Sequence, residues 1–485
     1  MSASTKDGGR GVPPLCVDLD GTLVRTDLLW ESLVQMLRRR PLELLRLPLW
    51  LARGRARTKE KIADAVQIDA SVLPYNAALL ERLRDERGRG RRIVLATASH
   101  LRPAHAVADH VGLFDEVLAT GNGRNLKGSA KRAELVERFG ENGFDYAGDS
   151  AADLEVWPSA RRAIAVDAPS HVLRRLGDGV DDVIRSARRS LPALILSAMR
   201  VRQWVKNLLV FVPVVLAHRY LDLEPLSMAA LGFLSLSLAA SAAYVVNDML
   251  DVEADRHHPD KRRRPFASGE LPLQAGFVMA PLLIGASVAL TLPLPMAFRG
   301  ILALYLLTTM LYSFFLKEVA LLDVLVLAGL FTVRIIGGAS ASGVHVSEWL
   351  LAFSMFIFLS LAAVKRYAEL RRLAGTDSGG VKLKRRGYFK GDEQLILLMG
   401  VVSGFMAVLV LALYISSEAV TQLYDRPQLL WFACPLMLYW IGRIWLLAHR
   451  GVVTDDPLMF AVRDLTTWLI AGAGSVILLI ASRWA

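Results

Sequence analysis

From Leu191 onward the chain is a succession of apolar runs, and this constrains its fold more than any other feature. A helix needs roughly 17–25 residues to cross ~30 Å of hydrocarbon. Nine stretches have that length: approximately 195–217, 226–246, 274–294, 298–316, 319–341, 348–364, 394–415, 429–448 and 466–483. Backbone amides surrounded by lipid are satisfied within helices or closed barrels, and runs of this length predict an all-α membrane domain of nine helices, spanning 189–485. Arg200, Arg202 and Lys206 interrupt the first run.

The charge between the runs predicts orientation. The loop after the second run holds Arg256, Lys261, Arg262, Arg263 and Arg264. The loop after the sixth holds Lys365, Arg366, Arg371, Arg372, Lys382, Lys384, Arg385, Arg386 and Lys390, whereas the opposite side carries only Arg219, Arg299 and Arg426. Basic loops stay cytoplasmic. The N-terminal region is therefore expected in the cytosol of a bacterial-type inner membrane, and nine crossings would leave the C-terminus outside. Residues 1–14, polar and Gly-rich without the apolar core of a secretory signal, are expected to be a disordered tail. The net charge of +11 sits beside apolar runs and is not interleaved with aromatics, which fits a bilayer surface and disfavours nucleic acid. Cys16 and Cys434 lie far apart in sequence and imply no disulfide framework.

Residues 15–188 read differently. Leu15–Leu19 is a short apolar strand running into Asp18 and Asp20, followed by Gly21-Thr22. Arg92–Ala96 is a second buried strand ending at Thr97; Lys127 follows in a Gly-rich loop; Tyr146–Asp153 ends a further strand with Asp149 and Asp153. Helical patterns lie between them, so a doubly wound α/β sheet with its site at the carboxyl ends of the strands is predicted. One carboxylate of the first pair can attack while the other protonates a leaving group. Asp149 near Asp18 would hold Mg²⁺, and Thr97 and Lys127 would receive phosphoryl oxygens. Residues 28–70 are expected to form a small helical cap. Its apolar, Arg-flanked stretch Pro41–Arg53 suits either an ordinary packed helix or a surface lying in the membrane interface that admits a lipid-linked substrate.

These four segments resemble the four motifs of the haloacid dehalogenase superfamily of phosphatases. The resemblance implies Asp18 as nucleophile, Asp20 as general acid/base, and Asp18, Asp20, Asp149 and Asp153 as the Mg²⁺ site. Lys131, one helical turn beyond Lys127, is the alternative for the motif lysine.

In the membrane part, Asn247–Asp255 stands out. Asp248, Asp251 and Asp255 fall at i, i+3 and i+7, so one helical face carries three carboxylates. Such a face calls for a compensating cation, and Mg²⁺ bound to a diphosphate is suited to it. The string Lys261–Arg264 is placed to meet phosphates. This motif resembles the UbiA superfamily of intramembrane transferases, which ionise a diphosphate substrate and pass its carbon to an acceptor. The second acidic motif of that superfamily is reduced here to Asp323. Arg202–Asn207, Asp255–Pro265, Leu322-Asp323 and Lys365–Leu370 are similar to decaprenyl-phosphate phosphoribosyltransferases. The resemblance implies phosphoribosyl diphosphate as donor and polyprenyl phosphate as acceptor. Asp248 and Asp251 would be catalytic; Asp248, Asp251 and Asp255 would hold metal; Lys206, Asn247, Lys261, Arg262, Arg264, Lys317, Asp323, Lys365 and Arg366 would bind substrate. A phosphatase on the same side would remove the ribose 5-phosphate. The alternative is a prenyltransferase acting on an aromatic or quinone precursor, and a third reading is a membrane-anchored phosphatase whose apolar part only binds lipid.

Overall fold

The computed structural model describes residues 12–121, 124–374, 387–418, 420, 424–453 and 456–482. Lys382, Lys384, Arg385 and Arg386 of the basic loop, and residues 1–11 of the expected tail, lie outside the described residues. The chain forms two compact units, Met1–Met199 with Tyr244–Ala280, and Arg200–Ala243 with Pro281–Ala485.

The first unit is built on six strands: β1 (Leu15–Val17), β2 (Ile93–His100), β3 (Glu116–Thr120), β4 (Asp145–Gly148), β5 (Arg162–Val166) and β6 (Asp182–Ile184). They pair in the order β3-β2-β1-β4-β5-β6, every pair parallel. Leu15, Cys16 and Val17 are all buried, as expected of a strand covered on both faces. The strand order reverses between β1 and β4, and such a reversal opens a crevice beyond the carboxyl ends of those two strands. Asp18–Asp20 leave β1 into that crevice and Asp149 leaves β4 into it.

The helices of this unit are α1 (Leu28–Arg39), α2 (Leu47–Ala52), α3 (Arg55–Ala65), α4 (Ala77–Gly88), α5 (Leu101–Val111), α6 (Ser129–Phe139) and α7 (Ser170–Leu176). Asp27 caps α1 by accepting from the Leu29 and Trp30 amides. With a 3₁₀ turn at Pro41–Arg46, α1–α3 form a small helical layer whose inner side packs Leu44, Leu47 and Trp50 against Met36, Ile62 and Val66.

The segment Tyr244–Ala280 belongs to this same unit and is fastened to α1. Arg256 Nη2 lies 2.6 Å from Glu31 Oε1, both side chains buried, and Thr26 Oγ1 donates to the same oxygen at 2.8 Å. Trp30 packs on Phe277 with ring centroids 5.1 Å apart, and Arg189 pairs with Glu270.

The second unit is helical. Six helices among the described residues are long and apolar enough to cross a membrane: Leu223–Leu250, Met296–Phe314, Leu322–Ser342, Glu348–Arg372, Glu393–Ile415 and Pro427–His449, the first of which ends in the other unit. Pro457–Arg463 and Leu465–Ala481, bent by 79° at their junction, raise the count to seven if they form one span. Among the described residues the nine single spans expected from the sequence are therefore not confirmed. The run 195–217 divides into Leu191–Ala198, a 3₁₀ stretch Val201–Phe211 and Val212–Leu216, with Arg200 in the left-handed region at φ 52°. Arg200 at the break and Pro213 at the start of the last piece account for the division, because proline lacks the donor a helix interior needs. The run 274–294 is shortened to Leu273–Ala289, with Pro281 inside.

Candidate active sites

The crevice of the first unit gathers the strand-end acids. Oxygens of Asp18, Asp149 and Asp153 all lie within 4.8 Å of one another, the one such group of possible metal ligands among the described residues. Hard carboxylate oxygens at that spacing suit Mg²⁺. Gly21 permits the assembly: its φ is +83°, and a Cβ there would sit 2.3 Å from Asp149 Oδ2. Thr22 Oγ1 donates to Asp149 Oδ1 at 3.1 Å. Asp153 is fixed by its neighbours, accepting from Ser150 N at 2.9 Å, Ser150 Oγ at 2.8 Å and Tyr146 OH at 2.7 Å.

Asp20 lies outside that group and does not join its carboxylate to the metal ligands. Its Oδ1 accepts from the Leu28 amide at 2.8 Å; its Oδ2 accepts from Ser99 Oγ at 2.6 Å and Thr97 Oγ1 at 3.2 Å. The expected Thr97 hydroxyl therefore reaches the site by way of Asp20. Burial, with the nearby Asp27 charge, lifts the Asp20 carboxyl to about 6. That suits a group that donates and recovers a proton near neutrality. Burial also raises Asp18, to about 7, against the pull of Lys131, and pushes Asp149 well above the ordinary carboxylate range. A divalent cation would relieve this crowding of like charges.

The structure corrects the lysine. Lys127 is exposed, whereas Lys131 is buried, with Nζ 2.8 Å from Asp18 Oδ1, 2.8 Å from Tyr146 OH and 3.6 Å from Asp153 Oδ1. The reason is helical phase: Lys131 and Leu135 share the buried face of α6, and Lys127 precedes the helix. That spacing from Leu135 was the available signal. A second lysine, Lys59 from α3, reaches across to donate to Ala98 O at 2.6 Å and Asn125 Oδ1 at 2.9 Å. It shares a narrow cleft with Leu28, Ser32, Ser99 and His100 between cap and sheet. Nothing local in the sequence marks Lys59.

The acidic motif also differs from its expected form. The helix Leu223–Leu250 ends just before Asp251, and a short helix Val252–His257 follows. Asp248 and Asp255 are both buried and share one cation: Arg264 Nη1 lies 3.1 Å from Asp248 Oδ1 and 2.6 Å from Asp255 Oδ2. The compensating charge on this face is therefore Arg264, one of the residues expected to meet phosphate. Lys261 and Arg262 stand exposed beside it. Burial raises the Asp255 carboxyl to about 6 against the opposing pull of Arg264. The three carboxylates do not close around a common point, so Mg²⁺ fits here only together with phosphate oxygens that would draw Arg264 away. Asn247 is half-buried on the preceding turn.

In the second unit, Asp323 and Arg366 come together as a buried ion pair, Arg366 Nη2 2.5 Å from Asp323 Oδ2, with Tyr388 OH donating to Asp323 Oδ1 at 2.5 Å. Asp323 is 0% exposed and Arg366 1%, so both expected substrate ligands are held in a buried network, in which Arg366 also pairs with Glu369. The cause is desolvation: a lone charge at that depth is costly and a paired one is tolerated. Lys206 pairs with Asp456, a partner not foreseen from the sequence. Asp456 caps the helix opening at Pro457, and an acid directly before a proline is the signal that marked it. Arg334 donates to Asn207 Oδ1 at 2.7 Å and Tyr305 OH at 3.1 Å, and its guanidinium lies 5.2 Å from the Phe331 ring. Lys317 is buried and Lys365 half-buried.

Residues 182–477 match the UbiA prenyltransferase family, and residues 15–157 match haloacid dehalogenase-like hydrolases. The chain is 38% identical to uncharacterized protein y4nM of Sinorhizobium fredii, over 94% of this chain and 89% of that one. It is 37% identical to nodulation protein NoeC of Azorhizobium caulinodans, over 55% of this chain and 86% of that one. It is 32% identical to the decaprenyl-phosphate phosphoribosyltransferase of Mycobacterium tuberculosis, over 60% of this chain and 95% of that one. Both families are Mg²⁺-dependent. The chain is thus an enzyme and a multi-pass membrane protein that belongs to the UbiA prenyltransferase family, with a haloacid dehalogenase-like hydrolase domain preceding the transferase.

Proposed function

We propose that this chain transfers 5-phosphoribose from phosphoribosyl diphosphate to a polyprenyl phosphate of the decaprenyl type, and then removes the 5-phosphate. The observation that carries the reading is the union in one chain of a phosphatase constellation, Asp18, Asp20 and Lys131, with a transferase domain similar over nearly its whole length to a decaprenyl-phosphate phosphoribosyltransferase. Phosphoribosyl transfer leaves a phosphomonoester on the ribose, which is a substrate for such a constellation. Prenyl transfer to an aromatic ring leaves none.

In the transfer step a lipid phosphate oxygen attacks the anomeric carbon, the carbon–oxygen bond to diphosphate breaks, and the diphosphate departs with the bonding electrons. Mg²⁺ accompanying the diphosphate supplies charge neutralisation there, as it does for the phosphoryl group beside Asp18, Asp149 and Asp153. Asp248 and Asp251 would hold such an ion at the diphosphate subsite. Arg264, released from the acids, turns to the phosphate, and Lys261 and Arg262 supply further cations. Lys206, Asn247, Lys317 and Lys365 are carried from the resemblance as phosphate-binding groups. In the second step the Asp18 carboxylate attacks phosphorus, the ester bond to the ribose oxygen breaks, and Asp20 protonates that oxygen. Water then cleaves the aspartyl phosphate, and Asp20 takes its proton. Lys131 holds Asp18 ionised and oriented. A cytoplasmic side for both chemistries is supported by the excess of Lys and Arg in the loops.

The test is an assay of purified protein with labelled phosphoribosyl diphosphate and polyprenyl phosphate, run beside prenyl diphosphate with 4-hydroxybenzoate. Label in a lipid product from the first pair alone supports the reading. Label from the second pair alone replaces it with aromatic prenyl transfer.

A further inference from the structure

The segment Pro41–Ala52 has two apolar sides. Leu44, Leu47 and Trp50 are spent on packing against Met36, Ile62 and Val66. Leu42, Leu45, Leu49 and Leu51 point the other way and are 78%, 76%, 65% and 55% exposed. A soluble domain normally turns polar residues outward at such positions, and four clustered leucines mark an interaction surface. The surroundings are cationic: residues 39–57 contain six arginines and one acid, Glu43, and Arg39, Arg40, Arg46, Arg53 and Arg57 are exposed. Leucines ringed by arginines match the boundary between acyl chains and anionic headgroups. A second observation ties the cap to segments of apolar helices. Within the same unit, α1 is fastened through Glu31 to Arg256, which lies shortly beyond the end of the apolar helix Leu223–Leu250, and through Trp30 to Phe277 of the apolar helix Leu273–Ala289.

We propose that the outer face of Pro41–Ala52 lies in the headgroup layer of an anionic bilayer, so that the cleft between cap and sheet takes its phosphomonoester from a membrane-resident lipid. The lipid-borne nature of the substrate rests on the function proposed above; the seating of the cap does not. The cleft is lined by Leu28, Leu29, Ser32 and Lys59 on the cap side and by Ser99 on the sheet side, and Ser99 is bonded to Asp20. A lipid phosphate entering beneath the cap therefore meets Lys59 and then the general acid.

The experiment uses full-length protein in vesicles of phosphatidylcholine and phosphatidylglycerol. Cys16 and Cys434 are buried, so a bimane label introduced at Leu45→Cys reports that position, with Glu137→Cys on the exposed side of α6 as reference. Bimane at position 45 is expected to be quenched by nitroxides placed shallowly on the lipid and shielded from an aqueous nitroxide, with the reverse at position 137. Quenching of both labels by the aqueous agent alone overturns the proposal. Shielding at position 45 that persists in lipid-free detergent and dilutes away with protein concentration also overturns it, because the face then belongs to a second copy. A triple change, Leu42→Glu, Leu45→Glu and Leu49→Glu, is expected to cut hydrolysis of a lipid-linked phosphomonoester in vesicles by about tenfold or more, while hydrolysis of p-nitrophenyl phosphate in detergent is unchanged. Equal hydrolysis of the lipid ester by variant and wild type counts against the proposal. A wild type inert toward both esters overturns the phosphatase reading alone, since the quenching result still decides the seating of the cap.

Discussion

Replacing Lys131 with Met tests the phosphatase site at its most structure-dependent point. The side chains of Lys131 and Asp18 are 4% and 9% exposed, and Nζ lies 2.8 Å from Oδ1. At that separation the gross attraction is ~6 kcal/mol with an effective dielectric near 20. Removing one partner of a buried pair costs ~3–5 kcal/mol net, because the remaining charge is left uncompensated. Here the remaining charge is the attacking carboxylate, already lifted to about 7 by burial, with Asp149 and Asp153 close by. Methionine keeps the volume and drops the cation, so Asp18 becomes largely protonated near neutral pH. A loss of ~3 kcal/mol corresponds to a rate reduction on the order of a hundredfold. The assay is Mg²⁺-dependent hydrolysis of p-nitrophenyl phosphate, with thermal unfolding followed in parallel to show that the domain is folded. Lys127→Ala serves as the paired control; as an exposed residue it should alter the rate by less than about threefold. If Lys127→Ala loses a hundredfold while Lys131→Met stays active, the assignment of the lysine and the charge argument behind it are both wrong.

Asp248→Ala or Asp251→Ala should lower phosphoribosyl transfer on the order of a hundredfold while p-nitrophenyl phosphate hydrolysis persists; full transfer in both variants would remove the acidic motif from the mechanism. Asp323→Asn should destabilise the protein by ~1–3 kcal/mol in detergent unfolding, since it removes one of the two carboxylates paired with the buried Arg366 and leaves Glu369, and leave KM for the sugar donor unchanged; a raised KM with normal stability would return Asp323 to the substrate. For pH, burial acts to raise Asp145, but its bonds to Arg161, at 2.7 and 2.8 Å, and to Arg91 outweigh that and hold it below 3.8. A carboxyl depressed in the folded state contributes stability that is present above the unfolded value and lost as pH falls through the lowered one. The unfolding midpoint of wild type should therefore drop between about pH 5 and 3, more than that of Asp145→Asn, and equal slopes would contradict the linkage.

What could be read in the sequence was local. β1 with Asp18 and Asp20, the end of β4 with Asp149, and six of the membrane helices are each specified by a short string, and the structure forms those strands and helices. What could not be read was pairing over distance. Whether Lys127 or Lys131 reaches Asp18 depends on the phase of α6 against the sheet; the spacing of Lys131 from Leu135 marks a shared helix face but not which carboxylate that face meets. Lys206 finds Asp456 across 250 positions, and no periodicity connects them. Arg264 turns back onto Asp248 and Asp255 because their burial leaves two carboxylates needing a cation, and the string Lys261–Arg264 does not announce which of its cations will do so. The divided run 195–217 shows the same limit. Its hydrophobicity is that of a span, but Arg200 and Pro213 decide where the backbone breaks.

The central claim, that one chain makes a phosphoribosyl lipid and then dephosphorylates it, is tested most directly with Asp18→Asn. Wild type and variant are given phosphoribosyl diphosphate labelled at its 5-phosphorus together with polyprenyl phosphate in vesicles. Wild type should release the label as inorganic phosphate and leave an unlabelled ribosyl lipid. The variant should transfer at a comparable rate and accumulate a lipid that keeps the label. If both proteins accumulate the labelled lipid equally, or both release phosphate equally, the hydrolase domain does not act on the product of the transferase.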